Sequence, residues 1–368
     1  FDVYESEFDG IPIRVLALPE DLGNARLALQ VATESIRRFS KWFGRYPYQE
    51  FELVESYFGW NGNESSGLVM IDQRILDAPR RAGLYVEHLV THEICHQWWY
   101  SAVGTDGFRE PFMDESIVTW LTRLAIEEKH GQNPDVLDFP GAGICQLPNI
   151  PYRTLVHSGF DLYRGRGGAL VTDTPLDELG HVHNLFFLVY DRGARIVGMI
   201  QNRLGRDQFL AFLQHTYQRY QFQILHLSDF QSELETFTGQ SWANFFDQWL
   251  RTSKATDWAI TDVETHSHHG AHHTIVHIEQ QGEIAEPVDI QLRGASGAVT
   301  SVRLNPQELW PPNAVPRVER DNIRSWRALF VTPEPPKQYE HGFRAFGEKR
   351  QTRARLRELP EGLSCDSA

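Results

Sequence analysis

The feature that most constrains this 368-residue chain is a short run, His92-Glu93-Ile94-Cys95-His96, inside an apolar stretch with Leu84, Val86, Leu89, Val90, Trp98 and Trp99. The apolar positions recur at helical spacing over 83–101, and residues four apart on a helix share a face. His92 and His96 therefore point two imidazoles at one place. A helix this apolar is buried, and imidazoles and carboxylates buried without partners are costly. The pattern calls for a ligand. Zinc accepts nitrogen and carboxylate donors tetrahedrally, and catalytic sites keep one position for water. Taken alone, HExxH also fits two solvated or core histidines. Eighteen residues after His96 stands Glu115, in Asp114-Glu115-Ser116, opening a second helical stretch from about Met113 to Lys129. A turn through Gly104–Gly107 would return that helix antiparallel and bring the carboxylate to the same ion. By itself Glu115 also reads as an acid favoured by a helix N-terminus. Glu93 neighbours the first ligand, where it is placed to take a proton from a water whose pKa zinc lowers towards ~7.

The surrounding texture divides the chain. Residues 1–18 alternate and read as strands turning at Asp9-Gly10. Residues 21–43 carry apolar positions at helical spacing and end at Gly44; 51–57 and 68–71 read as strands, with a polar loop over 59–67. Residues 131–180 are irregular, and a loop that long is more often functional than accidental. Helices follow over about 184–204, 207–220, 228–237 and 241–251, with Ser228 and Gln231 as a capping box for the third. From 257 to 332 alternation returns, which predicts a small β domain, a sandwich. The expected organisation is α+β: strand residues 1–18 left from an upstream β domain, a catalytic domain over 19–252, the β-sandwich over 253–335, and a loosely ordered tail over 336–368.

Charge narrows the partners. With a net charge of -14, no basic face of the kind a nucleic-acid binder shows stands out. The basic residues Lys349, Arg350, Arg353, Arg355 and Arg357 read as a solvated tail. Three cysteines, Cys95, Cys145 and Cys365, make no disulfide framework. No apolar run reaches the ~18 residues of a membrane span. The chain starts at Phe1, so a targeting segment or upstream domain is expected to be missing, and both a cytoplasmic and an exported location stay open.

The run HEICHQWWY followed by VGTDGFREPFMDES resembles the gluzincin zinc aminopeptidases of the aminopeptidase N and leukotriene hydrolase type, bacterial members included. The likeness extends from about Leu16 to Leu250. It implies a thermolysin-like catalytic domain with a mostly helical lobe, one Zn(2+) held by His92, His96 and Glu115, and Glu93 as general base. The family's oxyanion-binding tyrosine falls in a YEKG-like segment, here Tyr190-Asp191-Arg192-Gly193; Tyr163, in the irregular region expected to border the cleft, competes with it. The family's amine-binding segment, GxMEN-like, falls on Asn61-Gly62-Asn63-Glu64-Ser65-Ser66-Gly67. It implies that Glu64 holds a free α-amine and that the backbone at Gly62 and Asn63 holds an extended peptide.

Asn63, Ser65 and Ser66 depart from the family pattern, and Thr122 stands where a second acid often orients a zinc-bound histidine. The expected partners are peptides with a free N-terminus. An endopeptidase with a drifted amine site, or a non-catalytic module on the same fold, are the competing readings. His266, His268, His269, His272 and His273 read as an exposed hairpin turn, with adventitious metal binding as the alternative. Arg164–Gly168 lacks the context of a phosphate loop and reads as a flexible edge of the cleft.

Overall fold

The computed structural model describes residues 1–79, 82–136, 150–157, 159–306, 317–322, 324–333, 336–342 and 357–358. Cys145, Cys365 and the basic residues 349–355 lie outside them. The architecture is mixed α/β, in two compact units, Phe1–Ser253 and Lys254–Ala368.

The first unit opens with a hairpin of β1 (Asp2–Phe8) and β2 (Ile11–Ala17). Asp9 and Gly10 both adopt positive φ, 52° and 76°, the backbone that matches a two-residue turn to the strands' twist. Ile11, Ile13, Val15 and Ala17 alternate into the core beneath α1 (Leu22–Phe43), whose buried Ala28, Ala32, Ile36 and Phe39 repeat every three or four residues. β3 (Phe51–Ser56) and β5 (Leu68–Asp72) run parallel to β2, and β4 (Gly62–Ser65) closes the sheet antiparallel to β5, in the order β1-β2-β3-β5-β4. β4 is a correction: residues 59–67 read as a loop because Gly-Asn-Glu-Ser has little strand propensity, and pairing with β5 overrides it. Its outer edge is unpaired among the described residues.

Against this sheet edge lies α2 (Gly83–Cys95), buried from Val86 to Cys95 apart from a partly covered His88. It ends six residues short of the expected 101, in turns tied by Trp99 N–H to Cys95 O at 3.2 Å and Ser101 N–H to His96 O at 3.0 Å. A π-helical turn, Phe112–Ser116, leads into α3 (Ile117–His130). The region expected to be irregular contains short helices Tyr152–Val156 and Gly159–Gly165, too brief for periodicity to reveal. A short helix Val182–Leu185 and a π-helical segment Phe186–Gly193 run into α4 (Ala194–Leu204), followed by α5 (Arg206–Tyr220), α6 (Leu227–Thr238) and α7 (Ala243–Leu250). The cap of α6 is His226 with Asp229, not Ser228 with Gln231. β6 (Val103–Gly104) pairs with β7 (Gln223–Ile224).

The second unit holds two sheets. One has the order β12-β13-β9-β8-β15 and the other β11-β10-β14, where β8 is Trp258–His268, β9 Ala271–Gln280, β10 Val288–Gly294, β11 Val299–Leu304, β12 Arg317–Asn322, β13 Ser325–Thr332, β14 Pro336–Gly342 and β15 Arg357–Glu358. Trp258, Val276, Ile278, Ile290, Leu292 and Phe330 share one apolar cluster drawn from both sheets. β14 is a second correction, since 336–342 falls in the stretch read as a loose tail and pairs with β10. The histidine-rich run forms the tip of the β8–β9 hairpin, turning at His269 and Gly270.

Candidate active site

Along one face of α2 and just beyond its end stand Tyr85, His88, His92, His96 and Tyr100, spaced by three and then four residues. Successive ring centroids are 6.5, 6.2, 4.9 and 6.0 Å apart. Halfway along this row Glu115 arrives from the π-helical turn. Its Oε2 lies 3.1 Å from His92 Nε2 and 3.5 Å from His96 Nε2, and the two Nε2 atoms are 3.3 Å apart.

Those three edges test the donor set. Tetrahedral ligands about 2.0–2.1 Å from a zinc ion stand roughly 3.3–3.4 Å from one another. The observed triangle has that size. Buried Glu93 and Asp114, with half-buried Glu115 and Glu64 beside them, also put several carboxylates around two imidazoles, an excess of acidic groups that a divalent cation offsets. The residues fit the metal. A second convergence joins Glu64, Glu93 and His96, whose donor atoms lie within 4.8 Å of one another.

His96 keeps its orientation through its other nitrogen, Nδ1, which faces Trp99 O at 3.2 Å and Asp114 Oδ1 at 3.4 Å. This outer partner is Asp114, one residue before Glu115. Thr122, where the resemblance puts an acid in many relatives, is buried with no partner for its hydroxyl among the described residues. Burial raises Glu93 to about 8, and burial with the charge of Glu115 does the same to Asp114. For Glu115 burial acts upward too, but hydrogen bonds from His92 and His96 outweigh it and hold the carboxylate low.

Tyr190 lies in the π-helical segment before α4, with its ring stacked on His92 at 6.0 Å. Burial, and then Glu115, pushes its phenol well above the ordinary value, so it keeps its proton. Two contacts set this segment against the Glu115 turn. Ser116 Oγ donates to Val189 O at 2.9 Å, and a Cβ at Gly193 would meet Ser116 Oγ at 2.0 Å. Next to Tyr190, Asp191 accepts from Phe160 N–H at 2.7 Å and Arg195 Nε at 2.6 Å, and faces His157 Nδ1 at 3.4 Å. Burial pushes His157 down to about 4. Tyr163 packs with Phe160, Leu188 and Val189, and its hydroxyl accepts from Leu170 N–H at 3.0 Å. It lines a second cavity with Arg166, His181 and His183, and does not line the cleft at His92.

Gly62, Asn63 and Glu64 lie on β4. Gln97, the residue after the second histidine, fixes this strand: its Nε2 donates to Ser65 O at 2.9 Å and its Oε1 accepts from Gly67 N–H at 2.8 Å. Sequence reasoning passed over Gln97 and Asp114. The available signal was their adjacency to His96 and Glu115 within otherwise apolar surroundings. A cleft of about 620 Å³ opens beside His92, Glu93 and Tyr190, lined also by Trp60, Gly62, Asn63, Tyr85, Leu89 and Phe186.

An HExxH helix, a carboxylate returning from the next helix and a free strand edge beside them define a metallopeptidase domain. Residues 27–249 match the Peptidase family M1 domain, and the chain belongs to that family. Similar proteins include Aminopeptidase M1-B of Oryza sativa subsp. japonica, 22% identical over 68% of this chain and 28% of the relative. Probable aminopeptidase 2 of Sulfurisphaera tokodaii is 24% identical over 68% of the chain and 31% of the relative. Aminopeptidase 2, mitochondrial, of Saccharomyces cerevisiae is 23% identical over 67% and 25%. The chain thus spans less than a third of the length of these relatives.

Proposed function

We propose that this chain is a zinc-dependent aminopeptidase acting on peptides with a free N-terminus. The observation that carries the reading is the 3.1–3.5 Å triangle of His92, His96 and Glu115, with Glu93, Tyr190 and Glu64 around it. His92, His96 and Glu115 would hold the ion. When bound, zinc supplies Lewis-acid polarisation of water and of the peptide carbonyl. Glu93 takes a proton from the attacking water and passes it to the leaving amine. The Tyr190 phenol donates to the carbonyl oxygen as negative charge develops there. Glu64 pairs with the α-ammonium, a charge-assisted contact that places the first peptide bond at the triangle. The free edge of β4 at Gly62 and Asn63 receives the peptide backbone as an added strand. In this reading the first unit is the thermolysin-like domain and the second a small β-sandwich.

The test is a panel of aminoacyl reporters and matched N-acetylated peptides, with and without a chelator. We expect release of single residues, loss with chelator, recovery with zinc, and at least ~100-fold less turnover in Glu93→Gln. Equal cleavage of N-acetylated peptides would replace this reading with the endopeptidase one. Unchanged turnover in Glu93→Gln would remove the catalytic assignment.

A further inference from the structure

A second cavity, of about 610 Å³, adjoins the cleft at Phe187, whose ring lines both. The chain carries 49 acidic residues against 35 Lys and Arg, and the ligand triangle sits among carboxylates. The second cavity has the opposite chemistry. Arg166, His181 and His183 line it, and no Asp or Glu does among the described residues.

Its polar groups are mostly donors without an acceptor. The Arg166 guanidinium, with five N–H groups, has no side-chain partner among the described residues. His181 Nδ1 accepts from His183 N–H at 3.1 Å, which leaves the His181 proton on Nε2. The His183 ring stacks on His181 at 4.5 Å and on Phe187 at 6.3 Å. The Tyr163 hydroxyl accepts from Leu170 N–H and keeps its own proton to give. The turn that carries Arg166 is built rather than loose. Arg166 N–H and Gly168 N–H both donate to Tyr163 O, at 3.1 and 3.3 Å, and a Cβ at Gly168 would meet the Tyr163 ring at 2.2 Å. A guanidinium flanked by imidazole donors matches the paired oxygens of a carboxylate.

We propose that this cavity is a carboxylate-binding subsite, with Arg166 as its anchor and His181 and His183 as flanking donors. Its ligand is the C-terminal carboxylate, or an acidic side chain, of a peptide that lies in the cleft and passes Phe187. The peptide source rests on the aminopeptidase reading; the anion chemistry rests on the lining alone.

The experiment measures kcat/KM of the zinc-loaded protein for Ala-Ala-Ala and Ala-Ala-Ala-Ala, as free acids and as C-terminal amides, and for amides with Asp or Asn in third place. A parallel arm follows the thermal midpoint with succinate and with inorganic phosphate. A free acid should exceed its amide, or Asp its Asn counterpart, by at least ~5-fold, and Arg166→Gln and His183→Gln should each bring that ratio towards one. Both side chains are exposed, so the variants should keep the wild-type rate on a single aminoacyl reporter. Preference for the free acid alone makes the chain end the ligand, and preference for Asp alone makes it a side chain. A midpoint rise that needs Arg166, without any peptide preference, would overturn the peptide source and make the site one for free oxyanions. Neither effect, or a preference that survives in both variants, would overturn the proposal and leave the aminopeptidase reading standing. N-acetylated peptides cut as fast as free ones would remove the aminopeptidase reading instead, while the midpoint arm still decides the site.

Discussion

Gly62 stands so close to Glu93 that a Cβ at position 62 would lie 2.1 Å from Glu93 Oε1. The strand edge and the proposed base are thus packed backbone against carboxylate, with no room for a side chain between them. Gly62→Ala should push Glu93 or β4 aside. A displacement of that order costs about 100-fold in rate. We expect kcat/KM to fall by that amount while thermal stability and bound zinc stay near wild type. An active Gly62→Ala enzyme would show that the contact is not needed for turnover.

Gln97 joins the same strand to the helix. Its loss leaves Ser65 O and Gly67 N–H without their side-chain partner, at a cost of about 1–3 kcal/mol. Gln97→Ala should lower the unfolding midpoint and raise KM for peptides more than it lowers kcat, because the damage falls on the edge proposed to hold the substrate. A pure loss of kcat would mean that Gln97 acts on the metal helix instead.

The parts of this site differed in how visible they were from sequence, and the difference is physical. His92, Glu93 and His96 announce themselves because helical periodicity converts a four-residue spacing into a shared face. The strand β4 was hidden because its residues have little strand propensity and its pairing partner, not its composition, makes it extended. The role of Gln97 follows from β4 and was hidden with it. Asp114 faces His96 only because the Phe112–Ser116 turn is π-helical, which lets adjacent Asp114 and Glu115 approach opposite nitrogens of the same imidazole. Regular helical spacing gives no hint of that. The cap of α6 falls on His226, whose backbone N–H donates to Asp229 Oδ2 at 3.4 Å, because the helix begins at Leu227, before the serine expected to cap it.

Metal removal should be visible in stability as well as rate. His92, His96 and Glu115 are largely withdrawn from water, so an ion that binds the folded state alone raises its stability by mass action. Chelation should lower the thermal midpoint, and zinc should restore it. In Glu115→Gln the zinc-dependent rise should shrink sharply. A chelator-insensitive midpoint in a protein shown to contain zinc would place the ion elsewhere.

Tyr190→Phe removes the phenolic donor and keeps the ring stacked on His92. In the role proposed for it, the loss of one oxyanion donor costs about 100- to 1,000-fold in kcat. We expect that loss with KM little changed, and unaltered zinc content. Tyr163→Phe should leave kcat near wild type, since the Tyr163 hydroxyl serves Leu170 N–H away from the cleft. The reverse outcome would exchange the two assignments.

A pH effect on stability is built in far from the cleft. Glu55, at the end of β3, and Asp21, just before α1, are both buried, and Glu55 Oε2 accepts from Leu18 N–H at 2.7 Å. Burial first, and then Asp21, raises Glu55 from 4.5 to about 7. The folded state therefore holds a proton that the unfolded chain releases at lower pH. The contribution is fully present below about 4.5 and is lost as pH rises through about 7, beyond which the buried charge opposes folding. Glu55→Gln removes this titration. Its stability relative to wild type should rise between pH 5 and pH 8, measured by urea unfolding at each pH. Parallel stability profiles for the two proteins would show that Glu55 ionises as readily folded as unfolded.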